Sequence, residues 1–112
     1  MKLSELKEAL SLTTITEESG DRTFTNIYAG DLLSRAMSHV KADNLWITIM
    51  TNRNVIAVAS LTDAAAVILA EGVSLLPDAL EAAQENGITV YSSEKSVFEL
   101  CCGIDRARQK DS

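Results

Sequence analysis

Asp21 to Val40 reads DRTFTNIYAGDLLSRAMSHV, a stretch in which the chain leaves a loop, forms a strand, crosses Gly30-Asp31 and enters a helix. The period changes at that crossing. Thr23 to Ala29 alternates around Phe24 and Tyr28 as a strand does. From Asp31 onward, Leu32, Leu33, Ala36, Met37 and Val40 share one helical face, and Ser34, Arg35 and Ser38 share the other. Gly30 frees the backbone, and Asp31 has the side chain of a helix N-cap. A strand that feeds directly into a helix is the start of a β-α-β unit, and the rest of the chain repeats the pattern.

Working outward, Leu45 to Thr51 contains the unbroken apolar run LWITIM, which predicts a strand covered on both faces. Asn52-Arg53-Asn54 reads as a polar loop, and VIAVASL after it as a buried helix ending near Asp63. Ala65 to Ala70, bounded by Glu71-Gly72, predicts another buried strand. Pro77-Asp78 opens a helix that carries Leu80 and Ala83 and stops at Asn86-Gly87. Ile88 to Tyr91 is the last strand. Val97, Leu100, Cys101 and Ile104 line a final helix, after which RARQKDS reads as a fraying tail. Toward the N-terminus, Leu3, Leu6 and Leu10 recur at helical spacing with Ser4 as an N-cap ahead of Glu5. Leu12 to Thr16 predicts a first strand, closed by the turn Glu17-Glu18-Ser19-Gly20. The alternation implies an α/β fold: one layered domain over residues 1–112, with a mainly parallel sheet of about five strands flanked by helices. The hairpin-like first part can add an antiparallel edge.

At 112 residues the chain suits one core that buries roughly 60 to 70% of the unfolded surface. Hydrophobic residues are 46% and charged residues 23%, a globular balance. The net charge of -6 repels a nucleic-acid backbone. Cys101 and Cys102 are adjacent, so they suit neither a normal disulfide with each other nor a metal site of their own, and they fit a reducing compartment. MKLSELKEAL does not read as a signal peptide, and no apolar run approaches the roughly 20 residues of a membrane span. A cytoplasmic protein without a membrane partner is the expectation.

No catalytic motif stands out. G-x-x-x-x-G-K-[ST] and G-x-S-x-G are both absent, and the single histidine, His39, falls at a helix end where a cation is mildly favoured. An iron–sulfur cluster needs more thiolates than two adjacent cysteines offer, and no cofactor is implied. Met37, Met50 and Trp46 read as core, with Trp46 or Tyr28 as alternative anchors of a subunit interface. In a parallel α/β sheet ligands gather beyond the carboxyl ends of the strands. Four polar junctions qualify: Gly30-Asp31, Thr51-Asn52-Arg53-Asn54, Glu71-Gly72 and Ser92-Ser93, the last continuing into Glu94-Lys95. Their backbone N–H groups, with Arg53 for charge, suit a small anion or nucleotide-like metabolite. The competing reading is that Asp31 and Ser93 cap helices and the others are solvated turns.

Asp21-Arg22, Thr25, YAGDLLSRAM from Tyr28 to Met37, WITIMTNRNVIAVASL from Trp46 to Leu61 and ILAEG from Ile68 to Gly72 together resemble the DRTGG domain family. In that family the unit occurs alone, within phosphotransacetylases, or beside cystathionine-β-synthase-type nucleotide-sensing domains. It is similar to the N-terminal domain of HPr kinase/phosphorylase and, more distantly, to the N-domains of Mur ligases. The resemblance implies a regulatory or sensory domain, commonly dimeric, and not an enzyme. The kinase label of some relatives belongs to a separate catalytic domain. Asn26 and Ile27 stand where the family's two glycines follow its threonine, and Ile27 disfavours a positive φ. From residues and resemblance together, the expected function is the binding of a metabolite or nucleotide, acting through a homodimer or a protein partner. The alternative is a purely structural protein-protein interaction module.

Overall fold

The structure, a computed structural model, describes residues 1–17 and 20–111. Its elements in chain order are α1 (Leu3–Leu10), β1 (Thr13–Thr16), β2 (Ile27–Ala29), α2 (Leu33–His39), β3 (Leu45–Thr48), α3 (Arg53–Thr62), β4 (Ala66–Leu69), α4 (Pro77–Glu85), β5 (Val90–Ser92) and α5 (Val97–Asp111). The strands form one sheet in the order β1-β5-β4-β3-β2. β2, β3, β4 and β5 run parallel, and β1 joins β5 antiparallel with an irregularity between Thr14 and Thr16. The chain is thus a single α/β domain with a mixed, mostly parallel five-stranded sheet flanked by five helices.

Period-two alternation divides the strands between two cores. Leu45, Ile47, Ile68 and Tyr91 point toward Leu3, Leu6 and Leu10 of α1 and Leu100 and Ile104 of α5. Trp46, Val67, Leu69 and Val90 point toward Ala36 of α2, Val55, Ile56 and Ala59 of α3, and Ala79 and Ala83 of α4. β3 and β4 are buried along their whole length, as their unbroken apolar runs require. α1 and α5 approach closely at Gly103, where an added Cβ would lie 3.2 Å from Leu10 Cδ2.

Several expectations need correction. The N-cap position of α1 is Lys2, whose N–H donates to the Glu5 carboxylate at 3.0 Å. Ser4 lies inside the first turn, where its N–H and hydroxyl both donate to Asp21. Asp21 therefore caps α1 from across the chain. The second strand shortens from Thr23–Ala29 to Ile27–Ala29, because Thr23 makes only an isolated bridge to Lys2 and the Phe24 and Thr25 N–H groups donate to the Met1 and Asp43 carbonyls. β1 and β2 form no hairpin and occupy opposite edges of the sheet. Asn52-Arg53-Asn54 is the start of α3 and not a loop: the Asn52 side chain accepts the Asn54 N–H at 2.9 Å. The tail does not fray at Arg106, since α5 continues to Asp111, supported by Asp105–Arg108 at 3.5 Å and by Arg108 reaching the Thr25 carbonyl at 3.1 Å. The turn expected over residues 17–20 falls partly outside the described residues, at Glu18 and Ser19.

The stripe on α2 is only half buried. Ala36 and Val40 are covered, but Leu32 is 60% exposed and Met37 52%, so Met37 is not core. α2 follows the edge strand β2 and packs against α3 as its helical neighbour. Trp46 is fully buried and donates its indole N–H to the Gly30 carbonyl at 3.0 Å, which removes it as an interface anchor.

Candidate functional site

Because β2, β3, β4 and β5 are parallel neighbours, their carboxyl ends lie side by side over roughly 15 Å of sheet edge. Gly30-Asp31 follows β2, Thr51-Asn52-Arg53-Asn54 follows β3, Glu71-Gly72 follows β4, and Ser92-Ser93 ends β5. All ten residues singled out in the sequence therefore fall on one rim.

Within that rim they form two linked pairs. Asp31 does not cap α2, whose N-cap position is Leu32 with no side-chain bond. Its Oδ1 instead accepts from the buried Thr48 hydroxyl at 2.7 Å and from the Ile49 N–H at 3.0 Å, tying the β2 junction to the β3 junction. Gly30 is packed under the Tyr28 ring, where an added Cβ would meet Tyr28 Oη at 3.0 Å. At the other pair, Glu71 and Gly72 both have left-handed backbone, with φ of 59° and 71°. The Glu71 N–H donates to the Lys95 carbonyl at 2.8 Å and the Gly72 N–H to the Ser93 carbonyl at 2.9 Å. The Ser93 N–H donates to Leu69 O at 2.9 Å. These three backbone donors are paired within the protein, so a visiting group meets side chains there. Glu94 lies directly over Gly72.

A third link crosses the middle, from the Leu76 N–H ahead of α4 to the Thr51 carbonyl at 3.0 Å. Arg53 is exposed at the first turn of α3. Ser93 does not cap α5. Its hydroxyl accepts the Lys95 N–H, whereas Ser96 and Glu99 form the reciprocal box at the helix start. Hydrogen bonding from the Ser96 N–H, and then from the Ser96 hydroxyl, holds the Glu99 carboxyl below the usual carboxylate range. The exposed charges on the rim and the helix starts beside it are Asp31, Glu71, Asp78, Glu94 and Glu99 against Arg53 and Lys95.

The opposite end of the sheet holds a polar cluster that sequence patterns did not assign. Arg22 donates to Asp43 Oδ1 at 2.6 Å, to the Asp63 carbonyl at 2.9 Å and to the Ala64 carbonyl at 3.3 Å, beside a hollow of about 120 Å³. Asp63 has left-handed backbone as the C-cap of α3, and Asp43 has it in the turn that leads into β3. Asp21-Arg22, which carried part of the family resemblance, thus ties the chain together at this end. His39 stacks on Tyr28 at 5.8 Å and its Nδ1 lies 2.9 Å from the Arg35 carbonyl, as a helix-end residue would. Cys101 and Cys102 are free thiols, and burial pushes the Cys101 thiol up. Among the described residues no group of three His, Cys, Asp or Glu side chains converges on a metal position, and no helix is long and apolar enough to cross a membrane.

This geometry defines a class: a small α/β domain with a polar rim at the carboxyl ends of four parallel strands, and no assembled catalytic group among the rim residues described above. No family model and no curated protein matches the sequence. The chain is similar in structure to the CBS and DRTGG domains of the regulatory region of Clostridium perfringens pyrophosphatase, crystallised with its activator diadenosine tetraphosphate. The TM-score is 0.75 at 14% identity, over 94% of this chain and 46% of that one. At that identity the likeness establishes the fold, which is DRTGG-like. The chain spans less than half the length of that neighbour.

Proposed function

We propose that residues 1–112 form one DRTGG-like regulatory domain without catalytic activity, which binds a small nucleotide-like metabolite at the rim and acts through a second copy or a protein partner. The observation that carries this reading is the parallel run of β2 to β5, which brings Gly30, Asp31, Thr51, Asn52, Arg53, Asn54, Glu71, Gly72, Ser92 and Ser93 onto one edge. The first turns of α3, α4 and α5 follow these junctions, so the positive ends of three helix dipoles and the Arg53 side chain favour an anionic group. The neighbouring fold belongs to a regulatory region that takes a dinucleotide activator, which supports the same class of ligand here.

The test is a thermal-shift and calorimetric titration with diadenosine tetraphosphate, ATP and AMP. A probe at 100 times its dissociation constant stabilises the fold by about 2.7 kcal/mol. Arg53→Ala and Asn52→Asp should each weaken binding, the second because it keeps the α3 cap while adding a negative charge. Binding unchanged in both variants overturns this placement of the site.

A second reading has its own observation. Leu32, Ile49 and Leu76 stand exposed on or beside the same rim, which suits a protein contact with no small-molecule site. No shift with any probe, together with loss of a partner contact in Leu32→Asp, favours that reading.

A further inference from the structure

The two edges of the sheet are finished differently. At β2, the Ile27 N–H donates to the Asn26 side chain at 2.9 Å, and the Thr25 carbonyl just before the strand accepts from Arg108 at 3.1 Å. Side chains of the protein already serve that edge. At β1, no strand among the described residues lies beyond Thr13–Thr16, and alternate N–H and C=O groups point away from β5. Thr13 and Ile15 are exposed, and the run TTIT is β-branched throughout. It contains none of the lysines or prolines that blunt an edge, and only the irregularity between Thr14 and Thr16 interrupts it.

A hollow of about 420 Å³ lies beside this edge, lined by Ser4, Lys7 and Glu8 of α1 and by Leu12 and Glu17, which bracket β1. Leu12 gives it a buried apolar floor. Glu8 and Glu17 are exposed carboxylates, set against the half-buried Lys7, and Asp21 adds a third carboxylate through its bonds to Ser4. We infer that β1 is a docking edge for an extended, basic peptide segment of a protein partner. The segment adds a strand beside β1, lays an apolar side chain over Leu12, and sets lysine or arginine side chains against Glu8 and Glu17. A second copy is the wrong occupant, because β1 against β1 brings one acidic edge to another on a chain of net charge -6.

The inference deepens the proposed function by naming the chemistry of the protein partner, and it rests on that reading for its regulatory purpose. Thr13 pairs with Ser92, so the added strand lies roughly 10 Å, two strand spacings, from the last junction of the rim. Docking itself needs no nucleotide, so its failure and failure at the rim are separable.

The probe is a capped peptide of about six residues alternating lysine and valine, titrated into the protein and followed by amide-resolved NMR. Amides from Thr13 to Glu17 should move while those of Ile27 to Ala29 stay in place. Methylating every peptide nitrogen removes the ladder donors and keeps the charge, so it should raise the dissociation constant at least about tenfold. Glu8→Lys combined with Glu17→Lys should do the same with circular dichroism unchanged, because both side chains are exposed. No movement at β1 with peptide in excess overturns the inference. So does a methylated peptide that binds equally well, binding indifferent to the charge reversal, or self-association through β1 that the peptide does not displace.

Discussion

Replacing Asp31 by alanine removes one acceptor from two donors. The Thr48 hydroxyl, fully buried, loses its 2.7 Å bond, and the Ile49 N–H loses its 3.0 Å bond. The amide is exposed enough to turn to water, so most of the cost falls on the hydroxyl. Leaving a buried hydroxyl without its charged acceptor, and losing the weaker amide bond, should cost about 2 kcal/mol together. For a domain of this size that lowers the melting temperature by about 8 °C. The decisive comparison is a double-mutant cycle with Thr48→Val, followed by urea unfolding. With the hydroxyl already gone, Asp31→Ala loses only the amide contact, so the two changes should couple by about 1 kcal/mol. A simple helix cap would give no such coupling. Additivity within about 0.3 kcal/mol would refute the assignment of Asp31 as the tie between the β2 and β3 junctions.

Other perturbations read different parts of the fold. The Thr14 hydroxyl is buried with no hydrogen-bond partner among the described residues, so Thr14→Val should stabilise by about 1 kcal/mol in the same urea assay. Burial, with smaller contributions from Glu17 and Asp21, pushes the Tyr91 phenol up to about 12. A raised folded value means stability is intact below the ordinary value near 10 and falls as pH rises toward about 12. A spectrophotometric phenol titration should separate Tyr91 from Tyr28, and Tyr91→Phe should remove the alkaline loss. At the acid end, the Ser4 hydroxyl and then the Ser4 amide hold the Asp21 carboxyl below the usual carboxylate range. Its contribution is present above the ordinary carboxylate value and is lost as pH falls through the lowered one, so Asp21→Asn should flatten the acid limb of a stability profile.

Elements bounded by strong local signals were legible. Pro77 and Gly87 frame α4, and the apolar run from Leu45 pointed to a strand covered on both faces, although the strand expected to reach Thr51 ends at Thr48. The four junctions were legible as well, because any parallel sheet sends its strand ends to one edge. Pairings that rest on distant contacts were not. β1 joins β5, secured by the Thr16 hydroxyl donating to the Ile88 carbonyl at 2.6 Å, and nothing near Thr16 announces a partner 72 positions away. Capping residues were misassigned for the same reason. Ser4, Asp31 and Ser93 have the chemistry of caps, but Asp21 serves α1, Ser96 serves α5, and Asp31 accepts from Thr48 and leaves α2 with no side-chain cap. Periodicity on α2 correctly placed Ala36 and Val40 inward. It could not foresee that a helix following an edge strand leaves Leu32 and Met37 uncovered.

The central claim is that the rim at the carboxyl ends of β2 to β5 receives a nucleotide-like ligand, and amide-resolved NMR tests it residue by residue. Titration with diadenosine tetraphosphate should move the amides of Gly30, Asp31, Thr51 to Asn54, Glu71, Gly72, Ser92 and Ser93, and leave those of Arg22, Asp63, Asn86 and Gly87 at the opposite end in place. Shifts confined to that opposite end, or none at saturating nucleotide, would contradict it.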